Sequence, residues 1–225
     1  MPGLTVVIPT LNAAAGLKAL LPQLSSERLD LDLVIADGGS TDATPDLASR
    51  HQARLTAAEG GRGPQIQAGV DAALAEWLMI LHADSRLPED WDRRVAAFMA
   101  DPGSEALAGY FAFALDDGSA SARRLERLVA WRCRVLGLPY GDQGLLVSRA
   151  FLESLGGYPD LPLMEDVALA RRIGKKRLVC LDARLVTSSE KFRRDGYLRR
   201  SARNLLCLAL YFLGVPPWAI RRIYG

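Results

Sequence analysis

Cysteine is scarce: Cys133, Cys180 and Cys207 are the only three in 225 residues, an odd number without a Cys-x-x-Cys spacing. That excludes a structural zinc ribbon and a disulfide framework, and it suits a reducing cytoplasm. Net charge is small as well. Against 28 basic side chains stand 26 acidic ones, leaving +2, with charged residues at 24%. A balance so near neutral gives no reason to invoke nucleic acid. No basic stretch leads into a long apolar run at the start, so no signal peptide is expected. Apolar runs also stop short of the ~20 residues that a spanning helix needs. One segment raises the membrane question, Leu205 to Val215, and Pro216 and Pro217 end it. Arg193, Arg194, Arg199, Arg200 and Arg203 precede it, and Arg221 and Arg222 follow. Three readings of it stay open: a helix packed on the core, a peripheral contact with the inner face of the membrane, or a homodimer contact.

What is present is an alternation of apolar runs and helix-like stretches. The spacing predicts strands at 4–8, 31–36, about 54–58 and 77–82, with helices near 13–26, 42–51 and 64–76 between them. Ile66, Val70, Ala73, Leu74 and Trp77 fall on one helical face. Pro45 suits a first helical turn, and Pro88 opens another helix. After about residue 103 the rhythm changes: a strand at 106–115, a helix at 121–137, a strand at 145–148, a short helix from Arg149, a helix at 165–173, and strands near 178–181 and 184–188. Alternation of this kind argues for an α/β protein with a parallel sheet. With no repeat, low-complexity tract or linker, a single domain over 1–225 is expected, in three parts: to about 103, from about 104 to 200, and a C-terminal apolar helix over about 201–225.

The chemistry gathers where apolar runs end in carboxylates. Leu33-Val34-Ile35-Ala36-Asp37 is followed by Gly38 and Gly39, which free the backbone, and by Ser40, Thr41 and Asp42, any of which can cap a helix. Trp77 to Asp84 repeats the pattern, passing His82 and Ala83. Open α/β sheets bind ligands at the carboxyl ends of their strands, so Pro9, Thr10 and Asn12 after the first strand belong to the same edge. Asn12 also reads as a plain helix cap, and Asp37 as a turn residue. Gly60-Gly61-Arg62-Gly63-Pro64-Gln65 joins flexible backbone, a cation and a helix start, which favours a phosphate. It is neither a Walker loop nor a dinucleotide fingerprint. Asp84 is the metal candidate, since magnesium is commonly held by one or two carboxylates plus substrate phosphates; His82 either assists or is structural. Glu165-Asp166 at a helix start reads as dipole compensation or as a general base. Gly141, Asp142 and Gln143 read as an ordinary turn or as a grip on a hydroxylated acceptor.

In this order these segments resemble the inverting family 2 glycosyltransferases. The residues that carry the likeness are Val7 to Asn12, Ala36 to Asp42, Gly61 to Gln65, His82-Ala83-Asp84, Gly141 to Gly144 and Met164-Glu165-Asp166-Val167, so it spans roughly 4–200. Within the family the chain is similar to a short, soluble bacterial subgroup, some of whose members are associated with arsenosugar biosynthesis. The resemblance implies a glycosyltransferase A-type fold: a Rossmann-like, mainly parallel sheet with helices on both faces. It implies a nucleotide-sugar donor held by Pro9, Thr10, Asn12, Asp37, Gly38, Arg62, Gln65, Ala83 and Asp84. A divalent cation, magnesium or manganese, would sit on Asp84, Asp166 would be the base with Glu165 beside it, and Gly141, Asp142 and Gln143 would face a small or lipid-linked hydroxyl acceptor.

The sequence departs from the family pattern in three places. His82 replaces the first acid of the Asp-x-Asp motif, and Ala13 stands where a glutamate often follows the early asparagine. The Gln-x-x-Arg-Trp of processive members is missing, which implies single-sugar transfer, with Arg193 and Arg194 as the expected charge for the diphosphate. Two rival readings remain: a nucleotidyltransferase, and a catalytically silent sugar-nucleotide-binding or membrane-docked partner protein.

Overall fold

Strands form where aliphatic and β-branched residues run together, because such side chains pack well on a pleated, buried surface. The computed structural model describes residues 1–224; Gly225, the end of the expected C-terminal helix, lies outside the described residues. In chain order the elements are β1 (Gly3–Thr10), α1 (Ala14–Leu20), β2 (Asp30–Asp37), α2 (Thr44–Arg50), β3 (Arg54–Ala57), α3 (Arg62–Ala72), β4 (Trp77–Ile80) and α4 (Trp91–Ala100). Then follow β5 (Ala108–Leu115), α5 (Ala120–Leu136), β6 (Leu145–Ser148), α6 (Arg149–Ser154), α7 (Glu165–Ile173), β7 (Leu178–Thr187), α8 (Glu190–Asp195), α9 (Tyr197–Phe212) and α10 (Pro217–Tyr224).

The seven strands among the described residues join one sheet in the order β3-β2-β1-β4-β6-β5-β7. The first four pair in parallel, and β5 pairs in parallel with β7. Only β6 runs against its neighbours, β4 and β5. That reversal positions the site. Ile80 at the end of β4 lies opposite Leu145 at the start of β6, so the segment before β6 reaches the edge that β4 leaves. Side chains alternate across the sheet. Leu4, Val6 and Ile8 pack with Leu17, Ile35, Val95 and Phe111 on one face. Val7 packs with Ile66, Val70, Leu78 and Leu169 on the other.

Several expected boundaries move, each for a local reason. Helix α1 stops at Leu20, not 26: Pro22 has no N–H to continue the ladder, and Leu21–Gln23 tighten into a 3-10 turn. Helix α4 begins at Trp91, with Pro88 accepting the Trp91 N–H. Helix α3 ends at Ala72, so Leu74 escapes the apolar face and is 77% exposed. Strand β7 is one strand, not two. It carries an irregularity opposite Tyr110–Ala112, where Asp182 adopts a left-handed φ of 55°. The apolar C-terminus is two helices, because Pro216 and Pro217 cannot continue α9 and Pro217 instead starts α10.

Helices α9 and α10 bury Cys207, Leu208 and Ile220 against Leu138, Met164, Val167 and Ala170. Their other faces leave Leu205, Leu206, Phe212 and Leu213 half or more exposed. Among the described residues no helix is long and apolar enough to cross a membrane. Deleting residues 204–225 uncovers the α7 contacts, at roughly 1.5–3 kcal/mol per large buried side chain lost. The truncated protein is therefore expected to melt well below the parent or to be insoluble. An unchanged melting temperature would overturn that packing role.

Candidate active site

The carboxyl edge of the sheet is ordered by hydrogen bonds between successive loops. Asp37 is 6% exposed, and both its oxygens are occupied. Thr10 Oγ1 donates to it at 2.8 Å, Ser40 Oγ at 2.6 Å, and the Gly39 and Ser40 N–H groups at 3.1 and 2.8 Å. Burial alone would raise this carboxyl; the donors from Ser40, Thr10 and Gly39 outweigh burial and hold it below the usual range. Asn12, at a left-handed φ of 51°, ties the first loop to the second: its Oδ1 accepts from the Thr41 N–H at 2.9 Å. Asn12 does not cap α1. Asp42 serves there instead, accepting from Ala14 at 3.0 Å and, through its other oxygen, from Thr44 at 3.0 Å at the start of α2.

Two spaces lie over this edge. One is a cleft of ≈ 660 Å³ whose walls include Pro9, Thr10, Asn12, Arg62, Gln65, Ala83 and Asp84. Of the residues expected to hold the donor, only Asp37 and Gly38 stand behind its wall. Asp37 spends its carboxylate on the loop, and Gly38 packs against the Gln65 amide. Gln65 is itself committed, donating from Nε2 to the Thr10 carbonyl at 2.8 Å. The glycine loop before α3 is likewise less open than a phosphate cradle. Gly63 gives its N–H to the Leu161 carbonyl at 3.1 Å, and Gly61, at a φ of 113°, is backed by Pro162. What this loop offers a ligand is the Arg62 side chain.

The other space is a pocket of ≈ 140 Å³ lined by Tyr140, Asp142, Glu165, Asp166, Ser188 and Asn204, among others. It shares Arg62, His82, Asp84 and Lys191 with the cleft. Met164 sits at a left-handed φ of 64°, a strained conformation for a non-glycine residue, and from there α7 begins with Glu165 and Asp166. Asp166 is half-buried; its Oδ2 accepts from the Gly141 N–H at 2.8 Å and its Oδ1 from the Val167 N–H at 2.7 Å. Gly141 can approach so closely because it has no side chain, since a Cβ there would meet His82 Nε2 at 2.6 Å.

Glu165 is 1% exposed, and its Oε1 faces Arg62 Nη1 at 3.6 Å. Burial first and the Asp166 charge second push its carboxyl up to about 7, against the pull of Arg62. Asp142 is pushed up to about 6, chiefly by burial, with Arg132 opposing and Asp166 and Asp84 adding. Burial, then the charges of Arg62 and Lys191, hold His82 well below its ordinary range, so the imidazole is neutral. The folded protein keeps the Glu165 proton at pH values where the unfolded chain has lost it. Stability from this group is therefore complete below the ordinary glutamate range and is lost as pH rises through about 7. Accordingly, the melting temperature of the parent should fall between about pH 5 and pH 8 more steeply than that of Glu165→Gln. Parallel pH profiles would overturn it.

Two sequence expectations need correction. Gln143 does not grip an acceptor: it is 1% exposed and wholly occupied, accepting from Arg132 at 3.1 Å and donating to the Phe111 carbonyl at 3.0 Å. Its length carries the amide into the core, where it holds the 140–144 loop. Arg193 and Arg194 do not reach the cleft either. Arg193 pairs with Asp117 at 3.4 Å and Arg194 with Asp195 at 2.9 Å. Beside Arg62 the cleft is lined by Lys191, which the sequence did not single out, and by Arg221, which it named only as a flank of the apolar C-terminal run. Lys191 lies just past the end of β7, and that position is the one signal that pointed to it.

Among the described residues no three His, Cys, Asp or Glu side chains group to hold a metal. A hard divalent cation does not require them, since one carboxylate plus a diphosphate suffices. The exposed Asp84 carboxylate and the buried His82 Nε2, which lacks a hydrogen-bond partner, both lie on the shared wall and fit such an ion.

Residues 5–135 match the family described as Glycosyl transferase family 2. The chain belongs to that family. It is 38% identical over 109 residues to a PGL/p-HBAD biosynthesis glycosyltransferase of Mycobacterium tuberculosis, covering 44% of this chain and 43% of that protein. It is 29% identical over 191 residues to the succinoglycan biosynthesis protein ExoA of Rhizobium meliloti, covering 76% and 57%. The chain thus spans about half the length of these relatives. Among solved structures, the mannosyltransferase PcManGT from Pyrobaculum calidifontis, in complex with GDP-Man and Mn2+, superposes with a TM-score of 0.63 at 23% identity, covering 89% of this chain and 59% of that one. The fold is that of the A-type glycosyltransferases, as expected.

Proposed function

We propose that the protein transfers a single sugar from a nucleotide-diphosphate sugar to a hydroxyl acceptor, with inversion at the anomeric carbon. One observation carries this reading: Arg62, His82, Asp84 and Lys191 line both the cleft and the pocket, while Asp166 lines the pocket and not the cleft. A donor lying in the cleft would present its diphosphate to the shared wall, and an acceptor in the pocket would meet Asp166. The acceptor oxygen forms a bond to the anomeric carbon as its proton passes to the Asp166 carboxylate. The bond from that carbon to the diphosphate breaks, and the electron pair leaves with the diphosphate. The Gly141 N–H fixes the Asp166 carboxylate for this step, so little reorganisation is needed. Arg62, Lys191 and Arg221 offset the charge that builds on the leaving group. A divalent cation held at Asp84 would supply Lewis-acid neutralisation of the same diphosphate. The Mn2+ and GDP-Man of the mannosyltransferase complex support that choice of ion and donor class. The arsenosugar association rests on the sequence resemblance alone; the two relatives compared carry other descriptions.

Product analysis tests the reaction class. Release of a nucleoside diphosphate is expected; pyrophosphate would indicate nucleotidyl transfer, and binding without turnover the silent reading. A melting-temperature screen of nucleoside diphosphates with and without manganese finds the base, since a ligand at about 100 times its Kd adds about 2.7 kcal/mol. In the same screen Lys191→Ala is expected to weaken diphosphate binding by roughly 10-fold, the loss of about 1.5 kcal/mol for a charged hydrogen bond. Arg194→Ala should bind as the parent does. The reverse ranking would return the diphosphate to the arginine pair.

A further inference from the structure

Between α5 and α9 lies a third cavity, of ≈ 110 Å³, walled by Phe113, Leu125, Leu128, Trp131, Leu205 and Leu208, among others. It shares Tyr140, Asp142, Phe192 and Asn204 with the pocket that holds Asp166. Chemistry changes across that common wall: carboxylates and cations on one side, and on the other mostly hydrocarbon, with Arg132 and Ser201 as its polar members. Leu128, Trp131 and Leu205 remain 46%, 47% and 55% exposed around the groove. Apolar side chains scattered singly are ordinary on a protein surface, but three grouped at the mouth of a cavity mark a contact. The common wall is not satisfied from within. Oδ1 of Asp142 and Oδ1 of Asn204 are both buried without a hydrogen-bond partner, and buried acceptors in folded proteins nearly always have one. A ligand bound here could supply donors to both, next to an apolar trough and beside the base.

We propose that the acceptor is an amphipathic polyol. Its hydroxylated head donates to Asp142 and Asn204 and presents one further hydroxyl to Asp166, while its alkyl or aryl portion lies in the groove between α5 and α9. Pockets of this composition, mostly apolar with a few converging polar groups, bind ligands of the same mixed character. The inference rests on reading the Asp166 pocket as the acceptor site, and it adds the class of compound that enters it.

The test is a chain-length series of alkyl β-D-glucopyranosides (methyl, butyl, hexyl, octyl, the last below its micellar concentration), titrated into the 225-residue protein by calorimetry. Affinity is expected to rise by about fourfold per methylene until the groove is filled, the gain for burying a CH₂ group. L128E and L205E, both at half-exposed positions, should flatten the series. L198E, on α9 at a position 89% exposed and outside the groove, should keep it. A flat series in the parent overturns the proposal without any variant having to fold. A series equally steep in both groove variants also overturns it. So does loss of phosphatidylglycerol-vesicle binding in those variants with the glycoside series unchanged, which would make the patch a lipid-surface contact. Failure of the underlying reading is separately visible, as nucleoside diphosphates that leave the parent's melting temperature unmoved.

Discussion

Asp166→Asn is expected to lower turnover by at least about 100-fold while donor affinity stays close to that of the parent, because general-base assistance supplies a factor of about 100–10,000. The amide nearly matches the carboxylate in size and can still accept the Gly141 N–H that holds the side chain at 2.8 Å. It cannot take a proton at neutral pH. Asp166 lines the pocket and not the donor cleft, so binding and chemistry should separate in this variant. Glu165→Gln should cost less. Glu165 is buried, faces Arg62, and points about 100° away around the helix. Single-turnover measurements with saturating donor check both. Near-normal turnover in Asp166→Asn, or a larger loss in Glu165→Gln, would move the base elsewhere.

Asp84→Ala should abolish turnover and remove the manganese-dependent part of nucleoside diphosphate affinity, leaving the metal-free part in place. The carboxylate is exposed at the junction of cleft and pocket, and truncating such a surface side chain typically changes stability by no more than about 0.5 kcal/mol. An inactive protein with an unchanged melting temperature is thus the expected outcome. The decisive measurement is calorimetric titration of nucleoside diphosphate at several manganese concentrations. Affinity that climbs with manganese as steeply in the variant as in the parent would take the metal away from Asp84.

The strand pattern was legible because apolar runs are local properties. The apolar run from Leu4 to Ile8 announces β1 before any partner is known, and the carboxylates at Asp37 and Asp84 announce the sheet edge. Helix boundaries were less legible where a single residue decides: Pro22 shortens α1, and Pro217 turns one expected helix into two. Partner-dependent roles were not legible at all. Gln143 and Asp142 are adjacent in one turn, yet one reaches the core and the other the pocket. Lys191 and Arg194 share the short helix α8, and its rotation alone determines which of them meets the cleft.

The sequence by itself determined the alternating α/β order, the acids at strand ends, the family, and the residue types available for transfer chemistry, since these follow from composition and spacing within short windows. Tertiary structure alone decided that β6 runs antiparallel, which brings Gly141 to Asp166 across 25 residues of chain. It decided that Lys191 and Arg221 rather than Arg193 and Arg194 face the cleft, and that an apolar groove adjoins the pocket. The physical reason is common to all three. Each depends on which groups are brought within hydrogen-bond or van der Waals reach by packing between elements distant in the chain, and short-range forces leave no trace of that in local sequence until the elements are in place.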